Sequence, residues 1–325
     1  MQTIKRRLII PVALTCLFIL AWTSGLFAQA GNKGGVVWVV DFKDGTNAEV
    51  IKFNADSGIE LSRKGGFKQS KDLTRDPRDG SIWVIDTGNN QIVRLSSDGS
   101  TELARLSGFA YPHHGSLNIA DESFWVADEK HSEVVKLSAD GKSELLRISG
   151  FNLPHDIEVS SYDGSVWVLD LKSVIKLSPS GEILGRLDGL EQLRHFAISP
   201  FDGSCWVLKS SEGMVKISPD GTKMLTDNPD ISGLELSVNP IDGSCWVADS
   251  KSGILYNIAS DGKTRLLKLD SLFKAPIAIS AINPLDGSFW VGDSGRGEII
   301  KISGTGKELK KITGLVTPDD IIEAD

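Results

Sequence analysis

Asp163-Gly164-Ser165-Val166-Trp167-Val168-Leu169-Asp170 compresses a turn, a strand and the start of the next turn into one short stretch. The Asp-Gly pair suits a tight hairpin, where glycine supplies the positive φ. The run that follows is apolar on both faces, whereas antiparallel strands usually alternate because one face is wet. The same strand returns around Trp38, Trp83, Trp125, Trp167, Trp206, Trp246 and Trp290, at intervals of 45, 42, 42, 39, 40 and 44 residues. Ahead of each tryptophan stands Val37, Ile82, Phe124, Val166, Cys205, Cys245 or Phe289, and the next residue on that face is always Val. Both faces must therefore be covered, and sheets stacked around an axis cover one another. The tryptophans are expected between the sheets, where large aromatics dominate burial.

Outward from Trp167 the repeat resolves into four strands. His155–Val159 precedes the turn, Ser165–Asp170 carries the tryptophan, Ser173–Leu177 follows, and Glu182–Leu187 comes after a turn at Ser180-Gly181. Four short strands in about 40 to 45 residues are the signature of a propeller blade. The expected fold is all-β: a seven-bladed β-propeller of four-stranded antiparallel blades. The first tryptophan strand has no inner strand before it. Thr317-Pro318-Asp319-Asp320-Ile321-Ile322-Glu323 repeats the pattern of Leu153-Pro154-His155-Asp156-Ile157-Glu158-Val159 with no tryptophan strand after it. This C-terminal strand is expected to pair into the N-terminal blade and close the ring.

Before the repeats, Lys5, Arg6 and Arg7 precede an apolar run from Leu8 and a small-residue stop at Ala28-Gln29-Ala30, the order of a secretory signal peptide. The rival is an uncleaved anchor, since the run approaches the roughly 20 residues that span a bilayer. Pro11 and the glycines Gly31, Gly34 and Gly35 favour cleavage, and Thr15 before Cys16 argues against lipid attachment. The expectation is a signal peptide over 1–30, one domain over 31–325, a periplasmic or extracellular destination and no stable membrane insertion after cleavage. Without residues 1–30, 32 Lys plus Arg face 43 Asp plus Glu, a net charge of −11. That excludes the basic footprint of a nucleic-acid partner. Cys205 and Cys245 hold one position in neighbouring repeats, on sheets about 10 Å apart, too far for a disulfide. Two buried free thiols are expected.

The stretch Asp79-Gly80-Ser81-Ile82-Trp83-Val84-Ile85-Asp86-Thr87-Gly88-Asn89-Asn90-Gln91-Ile92-Val93-Arg94-Leu95, ending in Ser97-Asp98-Gly99, resembles an NHL repeat, and Pro154-His155-Asp156-Ile157-Glu158-Val159 is similar to that family's inner-strand motif. The resemblance covers nearly all of the chain after residue 30. It implies the propeller fold and leaves the chemistry open, because NHL-type propellers include protein- and RNA-binding modules, a zinc-dependent peptide-amidating lyase, and more distant lactonase-like and antibiotic-lyase relatives.

Two loop sets should open on one face of the ring. After the tryptophan strands come Asp41, Asp86, Asp128, Asp170, Lys209, Asp249 and Asp293. An Asp at a strand end commonly holds a turn, so these read as structural, with Lys209 the exception. The loops entering the inner strands carry Lys71-Asp72, His113-His114, His155-Asp156, Arg194-His195, Glu235, the apolar Ala278-Ile279 and Asp319-Asp320. Lys71, Asp72, Asp170, Arg194, Lys209 and Glu235 are the candidate ligand-binding residues. His113 (or His114), His155 and His195, from consecutive blades, are the candidate metal ligands, since three imidazoles with an open position suit a catalytic zinc; calcium is the other cation considered. Lys52, Arg94, Lys136, Lys176, Lys216 and Lys301 recur on the third strand, Asn257 being the exception, and are expected to snorkel or pair with turn aspartates. No phosphate loop, Gly-x-Ser-x-Gly elbow or haem motif occurs. Two readings follow. One is a monomeric, non-catalytic binding propeller offering its channel face to a protein, peptide or glycan. The other is a metal-dependent lyase or hydrolase, amidating-lyase-like or lactonase-like, at the channel mouth.

Overall fold

The computed structural model describes residues 35–210 and 213–324; the signal peptide expected over 1–30 lies outside them. The described residues form seven four-stranded antiparallel sheets. Blade 4 runs Asp156–Val159, Val166–Asp170, Ser173–Leu177 and Ile183–Asp188, and Gly164 takes φ +73° in its first turn. The blades are numbered by their tryptophans, from Trp38 in blade 1 to Trp290 in blade 7.

The ring closes as expected. Pro318–Ala324 pairs with Val36–Phe42, setting Ile321 opposite Val39 and Asp320 opposite Val40. Blade 1 thus takes its inner strand from one end of the fold and its other three from the opposite end.

Between blades lies a dry core. All seven tryptophans are at most 1% exposed. Burying one such ring removes on the order of 200 Å² from water, about 5 kcal/mol before entropy is subtracted. Trp83 stacks on Phe124 of the next blade at 4.3 Å between centroids, and Trp167 packs on Phe196, Cys205 and Val207 of blade 5. Cys205 and Cys245 are buried and unpaired.

The third-strand basic residues sit directly across from the tryptophans, Lys176 opposite Trp167 and Lys216 opposite Trp206. Lys176 Nζ lies 5.2 Å above the Trp167 ring, bonds Asp163 at 2.6 Å and donates to the Pro219 carbonyl of blade 5 at 2.7 Å. Lys216 repeats this with Asp202 at 2.9 Å and the Ser260 carbonyl of blade 6 at 2.7 Å. Lys52, Lys136 and Lys301 likewise staple their blades to the next, whereas the bonds of Arg94 stay within blade 2. In blade 6 the position is Asn257, whose buried Oδ1 meets no hydrogen-bond partner.

The outer strands share one irregularity. In all seven, the ladder slips just after the residue facing the tryptophan. The extra residue is a leucine every time, from Leu61 and Leu103 to Leu266 and Leu309, each 41% exposed or more.

Candidate functional site

Strand register fixes what lines the channel. Each inner strand places one core residue opposite the valine that follows the tryptophan, such as Leu73 opposite Val84, Ile157 opposite Val168 and Phe196 opposite Val207. Counting back one residue from that landmark gives a lower tier of Asp320, Asp72, His114, Asp156, His195, Glu235 and Ala278. Counting back two gives an upper tier, nearer the entering loops, of Asp319, Lys71, His113, His155, Arg194, Leu234 and Ile277. Together with Glu158 from farther down blade 4, both tiers except Ala278 border one cavity of about 570 Å³.

Most lower-tier side chains reach onto the next blade. The N–H groups on the free edge of an inner strand have no sheet partner and need acceptors. Asp320 Oδ2 accepts from Leu73 N at 2.6 Å, Asp72 Oδ2 from Gly115 N at 2.9 Å and Asp156 Oδ2 from Phe196 N at 3.4 Å. Glu158 takes the Ile198 N–H at 2.9 Å. In blade 3, His114 Nδ1 meets the His155 carbonyl at 2.9 Å. A carbonyl only accepts, so this nitrogen carries the proton, and His113 Nδ1, 2.8 Å away, faces it as an acceptor. The girdle runs on through His195, whose Nδ1 is 2.9 Å from Asp156 and whose Nε2 is 2.5 Å from Glu235. It stops at Ala278.

Burial and charge separate these groups. Burial works against the charge on His195, but Glu235 and Asp156 outweigh it and raise its pKa well above the imidazole range. It is a doubly bonded imidazolium. Asp156, though buried, is held well below the usual carboxylate range by His114 and His195. Burial pushes Asp72 up to about 6 and Glu158 up to about 8. Burial, then the charge of Asp72, pushes Asp320 well up. Burial, followed by the charge of His114, depresses His113; burial depresses His155.

The expected metal set mixes the tiers. His113 and His155 lie in the upper tier, their rings edge to face at 6.1 Å, while His195 lies one residue deeper. The structure instead brings together His114, Asp156 and His195, with one donor atom from each within 4.8 Å of the others. Two imidazoles and a carboxylate suit zinc. They do not suit calcium, which takes six to eight oxygens.

Among the ligand-binding candidates, Lys71, Asp72, Arg194 and Glu235 border the cavity. Asp170 and Lys209 do not. Asp170 is buried and accepts from Asn152 N at 2.6 Å, and Asp41 and Asp293 hold their own entering loops in the same way. Lys209, at the corresponding place in blade 5, pairs with Asp227 at 3.2 Å. Glu158 was missed as a site residue because, read as a strand residue, it looked like ordinary polar alternation. The pairing of His195 with Asp156 and Glu235 was missed because the entering loops were compared as loops. Counting from the tryptophan strand's valine would have placed all three in one tier.

No protein-family model matches this sequence, and no curated protein matches it by sequence. Solved structures match by shape. The chain is similar to apo AztD from Citrobacter koseri, with TM-score 0.63 and 13% identity over 89% of this chain and 98% of that one. A streptogramin B lyase matches with TM-score 0.66 and 16% identity, covering 89% and 91% of the two chains. A putative 6-phosphogluconolactonase from Bacteroides fragilis matches with TM-score 0.71 and 13% identity, covering 92% and 100%. These likenesses place the chain among propeller proteins and establish its fold.

Proposed function

We propose that this chain is an exported, non-catalytic binding propeller of NHL-like repeats that takes a protein, peptide or glycan ligand at its channel mouth through a positively charged group on that ligand. The observation carrying this reading is the His195 bridge. The imidazole best placed to move protons has both nitrogens held by Asp156 and Glu235, and Asp72, Asp320 and Glu158 are tied to backbone. These groups are fixed in place and acid-rich, which suits holding a cation. The cavity lies within the range of small-ligand sites.

Export to a periplasmic or extracellular space rests on the N-terminal pattern. The acidic charge weighs against nucleic acid, and among the described residues no helix is long and apolar enough to cross a membrane. A monomer remains the working state. The test is calorimetry of residues 31–325 with short peptides bearing a free amino terminus against their acetylated forms. Binding of the free forms alone, lost in Glu235→Gln, supports the reading; equal binding of both forms refutes it.

A second reading is favoured by the closeness of His114, Asp156 and His195. Zinc there would supply Lewis-acid chemistry for a lyase or hydrolase. His114 and His195 would each give a nitrogen and Asp156 an oxygen, while Glu235 would orient His195. About one zinc per chain after purification without a tag, lost in both His114→Ala and His195→Ala, would put this reading first.

A further inference from the structure

We propose that the cavity selects a zwitterion with an apolar arm: an apolar α-amino acid or the equivalent short peptide, its ammonium group in the lower tier and its carboxylate on Lys71 and Arg194. This rests on the binding reading above and specifies its ligand.

The two tiers carry opposite chemistry. The upper one sets Lys71, His113, His155 and Arg194 on four consecutive blades, with Asp319 its one acid. Lys71 and Arg194 are the lysine and arginine of the cavity lining, and among the described residues neither has a carboxylate within 4.0 Å. Two cations left unmatched at a cavity rim await an anion. His155 Nε2, also on this arc, is buried without a hydrogen-bond partner.

The lower tier awaits the opposite charge. Its carboxylates are Asp72, Asp156, Glu235 and Asp320, and its imidazolium is His195. His195, bridging Asp156 and Glu235, offsets one of these charges, and four carboxylates against one imidazolium leave the floor acidic. A simple anion would meet that floor, and a simple cation or a metal ion would leave Lys71 and Arg194 unmatched. A zwitterion satisfies both tiers. Successive residues of a strand rise by about 3.3 Å, the scale of the separation between the ammonium and carboxylate of an α-amino acid. The remaining wall is apolar, formed on blades 6 and 7 by Leu234, Ile277, Ile279 and Ala281, and gives an aliphatic side chain its place.

The test is calorimetry on residues 31–325, treated with chelator, using L-leucine, leucinamide, 4-methylpentanoate and the dipeptide Leu-Leu. Leucine or Leu-Leu should bind at least tenfold more tightly than leucinamide or 4-methylpentanoate, and whichever of the two binds tighter identifies the free or peptide form. Arg194→Gln, at an exposed position, should weaken leucine or Leu-Leu roughly tenfold and leave leucinamide unchanged. Leucinamide binding as tightly as leucine would overturn the zwitterion while sparing the cationic-ligand reading. Zinc binding with no response to any of the four compounds would overturn both.

Discussion

Asp320 accepts a hydrogen bond from the Leu73 backbone N–H at 2.6 Å, joining positions 247 residues apart. The contact sits where blade 1 meets blade 2, on the strand that closes the ring. Deleting residues 317–325 strips the Trp38 strand of its inner partner and uncovers Val37 and Val39, which share a core cluster with Ile321. The melting temperature should fall by on the order of 10 °C or more. Asp320→Ala, which strands only the Leu73 and Ile321 N–H groups at about 1–3 kcal/mol apiece, should cost less than the deletion. Equal melting temperatures for the truncated and full chains would refute the closure.

Glu158 sets an alkaline limit on stability. Its carboxyl titrates near 4.5 when unfolded and near 8 when folded, so the native state holds the proton more tightly. The resulting stability is complete below about pH 4.5 and is lost as pH rises through about 8. Asp72 acts with the same sign, from 3.8 to about 6. Urea midpoints should therefore drop between pH 5 and pH 9, and Glu158→Gln, which cannot ionise, should flatten the drop. A variant as pH-sensitive as the parent would count against this role.

His195→Ala should destabilise by about 3 kcal/mol, because it leaves the buried Asp156 and the half-buried Glu235 without their shared cation. Adding Glu235→Gln should recover part of that loss, a coupling that a double-mutant cycle reads directly. The folded pKa of His195 is raised, so its contribution is complete below 6.5 and is lost as pH climbs through the higher folded value. Imidazole NMR signals should show both ring nitrogens still protonated at pH 8. Strict additivity of the two substitutions would rule out the bridge.

Asn257→Lys should stabilise. The new ammonium would lie opposite Trp246, within the pattern that joins Lys176 to Asp163, with Asp242 at the matching turn. It also removes the unsatisfied Asn257 Oδ1. A gain of about 1 kcal/mol, seen as roughly 2 °C, is expected. A lowered melting temperature would show that the staple cannot form in this blade.

Cys205 and Cys245 should resist alkylation in the native state at pH 8 and react fully in urea. Burial pushes both thiols up, that of Cys205 helped by the nearby charges of Glu158 and Asp156. Rapid native labelling would show that the blade interfaces open.

The fold was legible because the tryptophan strand is constrained on both faces. Only apolar residues survive between packed sheets, so Val166-Trp167-Val168-Leu169 announces its place in every copy. Closure by residues 318–324 was legible for the same reason, as an inner strand without a successor. The cavity residues were visible as a group but not as an arrangement. His113-His114, His155-Asp156 and Arg194-His195 look interchangeable as dipeptides, and which member faces which neighbour depends on register with the adjacent strand. Asp170 and Lys209 misled because a polar residue at a strand end near a channel reads as available until its backbone partner is known.

The bulge in each outer strand bears on how the protein behaves in a crowd. A ring of seven blades offers seven unpaired strand edges to solvent, and a flat edge invites another molecule to add its own strand. Here every edge is kinked at the same point, where one leucine stands outside the ladder, and Arg63, Arg105 and Arg147 pair with carboxylates beside it. A stranger's strand could not stay in register past the kink. The periodic leucine thus breaks each outer edge as a template, so that no blade presents a long straight strand for another to extend.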